Sequence, residues 1–82
     1  MSEQRGDVRA LIEQIAKWLV EEPGQVSVTQ SDGETTVFEL RVAERDLGRV
    51  IGRSGRVARA LRSLVGAAGV RAQKRFELEI LE

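Results

Sequence analysis

The feature that most constrains the fold of this chain is the segment Val50–Val57, which reads Val-Ile-Gly-Arg-Ser-Gly-Arg-Val. Gly52 and Gly55 bracket two polar residues, and an amphipathic segment lies on each side of them. Because glycine has no Cβ, such a turn connects two helices tightly and leaves the first amides of the second helix without partners. Those amides, the helix dipole and the charges of Arg53 and Arg56 favour an anion. We therefore interpret the segment as a clamp for a phosphate backbone.

The length of 82 residues suffices for one hydrophobic core, so we predict a single domain over residues 1–82 with an ordered core at about 7–81. The sequence has no cysteine and no histidine, which removes disulfides, thiol chemistry and the usual metal sites and nucleophile–base pairs. The glycine turn also lacks the Gly-Lys-Ser/Thr ending of a P-loop. We therefore predict a protein that is not an enzyme and that needs no cofactor and no metal.

The N-terminal segment Met1–Arg9 is polar, and the uninterrupted apolar runs of the chain are only a few residues long. A signal peptide needs an apolar core of about 7–15 residues, and a membrane helix needs about 20. The pattern therefore predicts a soluble protein of the cytoplasm.

Positive charge is concentrated around the glycine turn, although the formal net charge of the chain is zero. Residues 41–62 contain seven arginines and two carboxylates, whereas residues 1–40 contain three basic and eight acidic groups. Arginine forms bidentate contacts to phosphate and stacks on bases. A basic stripe on a neutral protein indicates a local anionic ligand. Arg59 and Arg62, further along the second long helix, are compatible either with phosphate contacts or with solvated charges.

Hydrophobic periodicity predicts three helices and three strands in the order α-β-β-α-(GxxG)-α-β. The first helix begins near Val8 and is stopped by Pro23-Gly24. The other elements are Val26–Thr29, Thr36–Val42, Ala43–Ile51, Arg56 to about Gly69 and Arg75–Ile80. Asp7 is the predicted N-cap of the first helix, and Gly69 the predicted C-cap of the last. Asp32-Gly33, with a positive φ at the glycine, predicts an antiparallel hairpin. We expect an α+β fold, in which three helices cover one face of a three-stranded mixed sheet.

The sequence also allows predictions for several individual residues. Trp18 lies on the apolar face of the first helix, so we interpret it as a core anchor; a platform for base stacking is the alternative. Gly48 lies inside a helix, which indicates a close approach by a neighbouring element or by a ligand. We also expect ion pairs of Arg41 with Glu39 and of Arg45 with Glu44. The apolar stripe predicted for the second long helix consists of Val57, Leu61, Leu64, Val65 and Ala68.

The segment Val42–Arg56, set in this element order, resembles the KH domain, and the additional N-terminal helix and strand resemble its type II arrangement. The sequence of the segment is similar to that of the small stand-alone bacterial family called KhpA. The resemblance covers the chain from about Asp7 to Leu81. It implies binding of single-stranded RNA, with the glycine loop gripping about four nucleotides of backbone.

The resemblance also implies which residues bind RNA. Gly52 to Gly55 would form the loop, Arg49 and Arg56 would flank it, and Ile51 would floor the groove for the bases. The full implied set is Arg49, Ile51, Gly52, Arg53, Ser54, Gly55, Arg56 and Arg59. Because no aromatic residue lies near the loop, we expect only modest sequence preference.

Proteins of the KhpA type are known as homodimers and as partners of KhpB, a larger KH-containing protein. The resemblance therefore implies a small dimeric RNA chaperone or regulator, and Ala60–Gly69 is the candidate interface. The alternative function is a dimerisation or scaffold module for a KhpB-like partner, with RNA binding secondary. For the glycine turn itself, the alternative is a structural helix–helix connection without a ligand.

Overall fold

The computed structural model describes residues 7–82. Met1–Gly6, which belong to the polar N-terminal segment discussed above, lie outside the described residues. The helices and strands are α1 (Val8–Leu19), β1 (Ser27–Ser31), β2 (Thr35–Arg41), α2 (Leu47–Ile51), α3 (Arg56–Ala72) and β3 (Arg75–Ile80). Short 3₁₀ turns are found at Pro23–Gln25, Glu44–Asp46 and Arg53–Gly55. No helix in this described part is long and apolar enough to cross a membrane.

The three strands form one mixed sheet in the order β1-β2-β3. β1 pairs with β2 antiparallel, with Ser27 opposite Arg41, and β2 pairs with β3 in parallel, with Thr35 opposite Arg75. Side chains of a strand alternate between the two faces, and here Phe38 and its neighbours on the same face are buried while the other face is open. The α+β architecture, the element order and the mixed sheet of the type II KH fold are therefore confirmed.

The core lies between the buried face of the sheet and one side of each helix. α1 packs on β1 and α3 on β3, while α2 contacts both long helices. Phe38 meets Phe76 of β3 edge to face, with ring centroids 5.3 Å apart. Burial of each large apolar side chain contributes roughly 1.5–3 kcal/mol. The largest fully buried apolar side chains are Ile12, Phe38, Leu40, Val50 and Val65.

The N-cap of α1 is confirmed, because the Asp7 carboxylate accepts a hydrogen bond from the Ala10 amide. The prediction that Trp18 anchors the core is wrong, since 75% of this residue is exposed. The buried positions of α1 are Val8, Ile12 and Ala16, which follow one another at steps of four. Trp18 lies about 200° around the helix from Ala16 at ~100° per residue. The apolar arc of α1 is therefore wider than the sheet can cover.

The second long helix is also longer than predicted. α3 continues to Ala72, and Gln73, with φ 58°, takes the left-handed conformation that ends it. Gly69 is therefore not the C-cap but a buried position inside α3. A Cβ at this position would lie 2.7 Å from the Lys74 carbonyl oxygen and 3.0 Å from the Phe76 nitrogen. Glycine is required here because the returning chain approaches the helix closely.

Three further expectations are corrected by local contacts. The antiparallel hairpin is confirmed, but Gly33 does not have a positive φ, and Asp32 instead accepts hydrogen bonds from the Gln30 and Thr36 side chains across the connection. Apart from the adjoining residues and the backbone of α2 itself, no described atom lies within 4 Å of a Cβ built on Gly48, so no neighbouring element explains that glycine. The expected ion pairs of Arg41 with Glu39 and of Arg45 with Glu44 are not formed within residues 7–82.

Candidate nucleic-acid interface

The glycine turn has the geometry of a tight connection between α2 and α3. The Gly52 amide closes α2 by donating to the Gly48 carbonyl oxygen at 2.8 Å, and Gly52 itself has φ 77° and ψ 171°. Gly55, with φ 75°, is the residue before α3 and donates its amide to the Gly52 carbonyl oxygen at 3.1 Å. Among glycines in residues 7–82, only these two have positive φ. The chain therefore reverses within four residues.

Both glycines are favoured by their φ angles, and Gly52 is also required by its surroundings. A Cβ at Gly52 would overlap Val57 Cγ2 and lie 2.9 Å from the Val57 nitrogen. A Cβ at Gly55 would lie 3.3 Å from Nη1 of Arg59. The absence of a Cβ at Gly52 allows α3 to begin close to the end of α2. The absence of a Cβ at Gly55 leaves space beside the loop for the Arg59 guanidinium. A larger residue at position 52 would push α3 away from α2, whereas one at position 55 would be strained by its positive φ and would displace the Arg59 side chain.

Ser54 also takes the left-handed conformation, with φ 56° and ψ 24°. For a residue with a Cβ this conformation costs roughly 1–2 kcal/mol. Such backbone strain is characteristic of ligand-binding and catalytic sites. The exposed side chain of Ser54 points away from the core, so the strain is not offset by packing of that side chain.

The turn presents unpaired backbone donors to solvent. Within residues 7–82, the amides of Arg53 and Ser54 donate to no acceptor, whereas the amides of Gly52, Gly55 and Arg56 are used inside the turn. These two successive amides belong to the turn that precedes α3, and successive amides in such a turn can both donate to one anion. The backbone of the loop is therefore arranged as an anion site.

The arginines around the loop differ in their availability. Arg53 and Arg56 are exposed and form no ion pair in the part of the chain that the structure describes. Arg49, in contrast, holds the Glu21 carboxylate at 2.8 Å and lies 3.6 Å from Oδ1 of Asp46. The predicted phosphate contact of Arg49 therefore competes with an internal ion pair, while those of Arg53 and Arg56 do not.

Asp46 is a site residue that the sequence reasoning missed. Its carboxylate is fully buried and accepts hydrogen bonds from the amides of Glu21 and Glu22, each at 3.1 Å. It thereby ties the chain after α1 to the turn that precedes α2. Arg45 strengthens the same junction by pairing with Glu22 at 2.6 Å. The sequence contained one signal: Asp46 stands four residues before Val50 and shares its buried helical face.

Two further predicted residues complete the site. Ile51 is half-buried and packs on the core at the end of α2, so part of its side chain remains available beside the loop. Arg59 is exposed and donates from Nη1 to the Ser54 carbonyl oxygen at 2.9 Å. All eight predicted residues therefore lie in or beside one turn. No group of three acidic, histidine or cysteine side chains within residues 7–82 is arranged to hold a metal ion.

A separate apolar surface lies between α1 and α3. A groove of about 190 Å³ there is lined almost entirely by carbon, and Leu11 and Leu64 beside it are 46% and 43% exposed. Leu64 belongs to the predicted apolar stripe of α3, but it is exposed beside the groove rather than buried in the core. Of the candidate interface Ala60–Gly69, the residues open to solvent include Ala60, Leu64 and Ala67, while Leu61 and Val65 are buried.

Comparison with known proteins gives one consistent family. The family model described as "KhpA/KhpB, KH domain" matches residues 9–80. A protein named "RNA-binding protein KhpA" from Treponema pallidum (strain Nichols) is 51% identical over 73 residues, which cover 88% of this chain and 91% of that protein. No solved structure matches the chain significantly.

Two further relatives carry the same name. The one from Aquifex aeolicus (strain VF5) is 49% identical over 92% of this chain and 96% of its own length. The one from Borreliella burgdorferi is 45% identical over 94% of this chain and 95% of its own length. Fold, glycine turn and sequence similarity thus agree, and the chain belongs to the KhpA/KhpB family of KH domains.

Proposed function

We propose that this protein binds single-stranded RNA without catalysis, and that it holds the sugar–phosphate backbone at the turn Gly52–Gly55. The observation on which the proposal rests is the pair of unpaired amides at Arg53 and Ser54, in a turn that also carries the exposed side chains of Arg53 and Arg56. The three relatives named above are RNA-binding proteins by name, which supports RNA as the ligand.

Each part of the turn has a distinct role in this proposal. The two amides and the guanidinium groups of Arg53 and Arg56 bind phosphate oxygens, because charge-assisted hydrogen bonds to phosphate are strong. Ile51 offers apolar surface to a base. Arg49 joins them when a phosphate replaces the Glu21 carboxylate, with which it pairs in the unbound protein. Since no aromatic ring lies in the turn, bases are held by less specific contacts, and the sequence preference is modest.

We expect the affinity for a short single-stranded RNA to fall steeply with salt. Each contacted phosphate contributes about −0.7 to the slope of log affinity against log salt concentration for a single strand. A loop that holds three or four phosphates therefore gives a slope of about −2 to −3. Fluorescence anisotropy with a labelled oligonucleotide at several salt concentrations measures it. A slope near zero would show that the arginines and amides do not hold the backbone.

In the cell, we propose a role as a small RNA chaperone or regulator in the cytoplasm, carried out by a single KH domain. Crosslinking of the protein to RNA in living cells, followed by sequencing, identifies the bound RNAs directly. Recovery of no RNA above background, from cells that express the folded protein, would contradict the role.

A second function, dimerisation, is favoured by the apolar groove between α1 and α3. Monomeric proteins rarely leave large apolar side chains together on the surface, and such patches commonly mark interfaces. We propose that a second copy of this chain covers the groove and Leu64 beside it, and that a KhpB-like KH protein can take its place. Two loops held in one dimer would bind one RNA with higher avidity than a single loop.

Replacing Leu64 with glutamate is expected to raise the dimer dissociation constant at least tenfold. The substitution places a charge at the centre of the proposed contact, where a hot-spot side chain typically contributes about 2 kcal/mol or more. Sedimentation equilibrium measures the effect. Val70→Glu is the matched control, because Val70 is also an exposed apolar residue of α3 but does not line the groove. A Leu64→Glu protein that remains as dimeric as Val70→Glu would exclude this surface.

A further inference from the structure

We propose that Arg59 is a positioning residue, which holds the peptide group between Ser54 and Gly55 in place and so presets the loop before RNA arrives. Arg59 was expected to contact phosphate, but its guanidinium is directed back to the loop backbone. The part of this inference that concerns RNA rests on the proposed function. The part that concerns the loop itself does not.

The Ser54–Gly55 peptide group is held at both ends. Its carbonyl oxygen belongs to Ser54 and accepts from Nη1 of Arg59 at 2.9 Å. Its N–H belongs to Gly55 and donates to the Gly52 carbonyl oxygen at 3.1 Å. A rotation of this peptide group would break both hydrogen bonds at once, so Arg59 opposes that rotation from outside the loop.

The loop needs such support because its own backbone offers little resistance to rotation of this peptide group. Rotation of the peptide group changes ψ of Ser54 and φ of Gly55, and glycine offers no steric barrier to that change. Ser54 is held in a conformation that an L-residue leaves readily. The adjoining amides of Arg53 and Ser54 keep their places only while the turn keeps its shape. A fixed peptide group therefore reduces the ordering that RNA must impose on binding.

Gly55 makes room for this contact. A Cβ there would lie 3.3 Å from Nη1 of Arg59, so the second glycine of the turn both permits the left-handed conformation and leaves space for the guanidinium. Arg62, three residues further along α3, is exposed and makes no hydrogen bond or ion pair within residues 7–82 that would give it a similar task. Arg59 and Arg62 are thus a matched pair: both are exposed arginines of α3, and only Arg59 donates a hydrogen bond to the loop.

The test compares Arg59→Met and Arg62→Met, which remove the same charge from the same helix. In the protein without RNA, we expect the amide–water exchange rate of Gly55, measured by NMR, to rise about fivefold in Arg59→Met, which corresponds to the loss of one hydrogen bond. Arg62→Met should leave that rate unchanged. Arg59→Lys should recover part of the protection, because the ammonium can also donate to the Ser54 carbonyl oxygen.

RNA binding separates a positioning role from a direct contact. We expect Arg59→Met to bind the RNA about fivefold more weakly than Arg62→Met does, with the salt slope of the two variants equal. A slope shallower by about 0.7 in Arg59→Met would show that Arg59 itself contacts a phosphate, and would overturn the positioning role. An unchanged Gly55 exchange rate would overturn it as well. If no variant binds RNA, the exchange rates still decide the role of Arg59, while the proposed function alone fails.

Discussion

Replacing Arg53 and Ser54 together with aspartate is expected to weaken binding to a short single-stranded RNA by about 100-fold, or about 2.7 kcal/mol. The double substitution removes one positive charge and places two carboxylates beside the amides that would hold phosphate. Unit charges about 4 Å apart interact by roughly 1–4 kcal/mol at the dielectric of a protein surface. Two such repulsions and one lost attraction account for the expected loss.

The fold should tolerate this double substitution. Both side chains are exposed, and aspartate is among the residues that accept the left-handed conformation found at position 54. The matched control is Ser27→Asp with Arg41→Asp, since these two residues are also exposed and face each other on the open side of the sheet. The control changes the net charge equally and should bind RNA nearly as well as the wild type. Equal affinity of the two folded variants would refute the loop as the phosphate site.

Replacing Asp46 with alanine is expected to lower the free energy of unfolding by about 3 kcal/mol. The substitution leaves the part-buried amides of Glu21 and Glu22 without their acceptor, and a lost partner of this kind costs roughly 1–3 kcal/mol when the donor is buried. For a domain of this size, whose total stability is about 4–12 kcal/mol, that is a large fraction. Urea denaturation followed by circular dichroism measures the change.

Two comparisons identify the cause of that loss. Asp46→Asn keeps one acceptor oxygen and should lose less stability than Asp46→Ala. Arg49→Met removes the charged partner of Asp46 but leaves both hydrogen bonds, and it should cost less than about 1 kcal/mol because the pair with Glu21 is half exposed. If Arg49→Met destabilises the protein as much as Asp46→Ala does, the ion pair rather than the two amides holds the junction.

The order of helices and strands could be predicted because each signal is local. Alternation placed β2 and β3, steps of three and four placed the helices, and two glycines placed the turn. The predicted binding residues lie together for the same reason: seven of the eight are within the eight-residue segment Arg49–Arg56, and Arg59 follows within one helical turn. Local patterns report local geometry.

The misinterpreted residues are those whose role depends on distant parts of the chain. Asp46 binds amides 24 and 25 residues away, and Arg49 pairs with a carboxylate 28 residues away. Gly69 resembled a helix end because a glycine cap and a glycine under a crossing backbone look the same in sequence. Trp18 lies on the apolar side of α1. How much of that side becomes buried depends on how the helix packs on the sheet, which the local pattern does not show.

The open position of Trp18 also decides how this protein can be followed by fluorescence. It is the only tryptophan of the sequence, and its indole is already largely in water while the chain is folded. Unfolding therefore changes the surroundings of the indole little, and its emission is a poor reporter of denaturation. A protein that binds to this side of α1 would instead bury the indole and shift its emission. The unlabelled chain therefore contains its own fluorescent reporter of such binding.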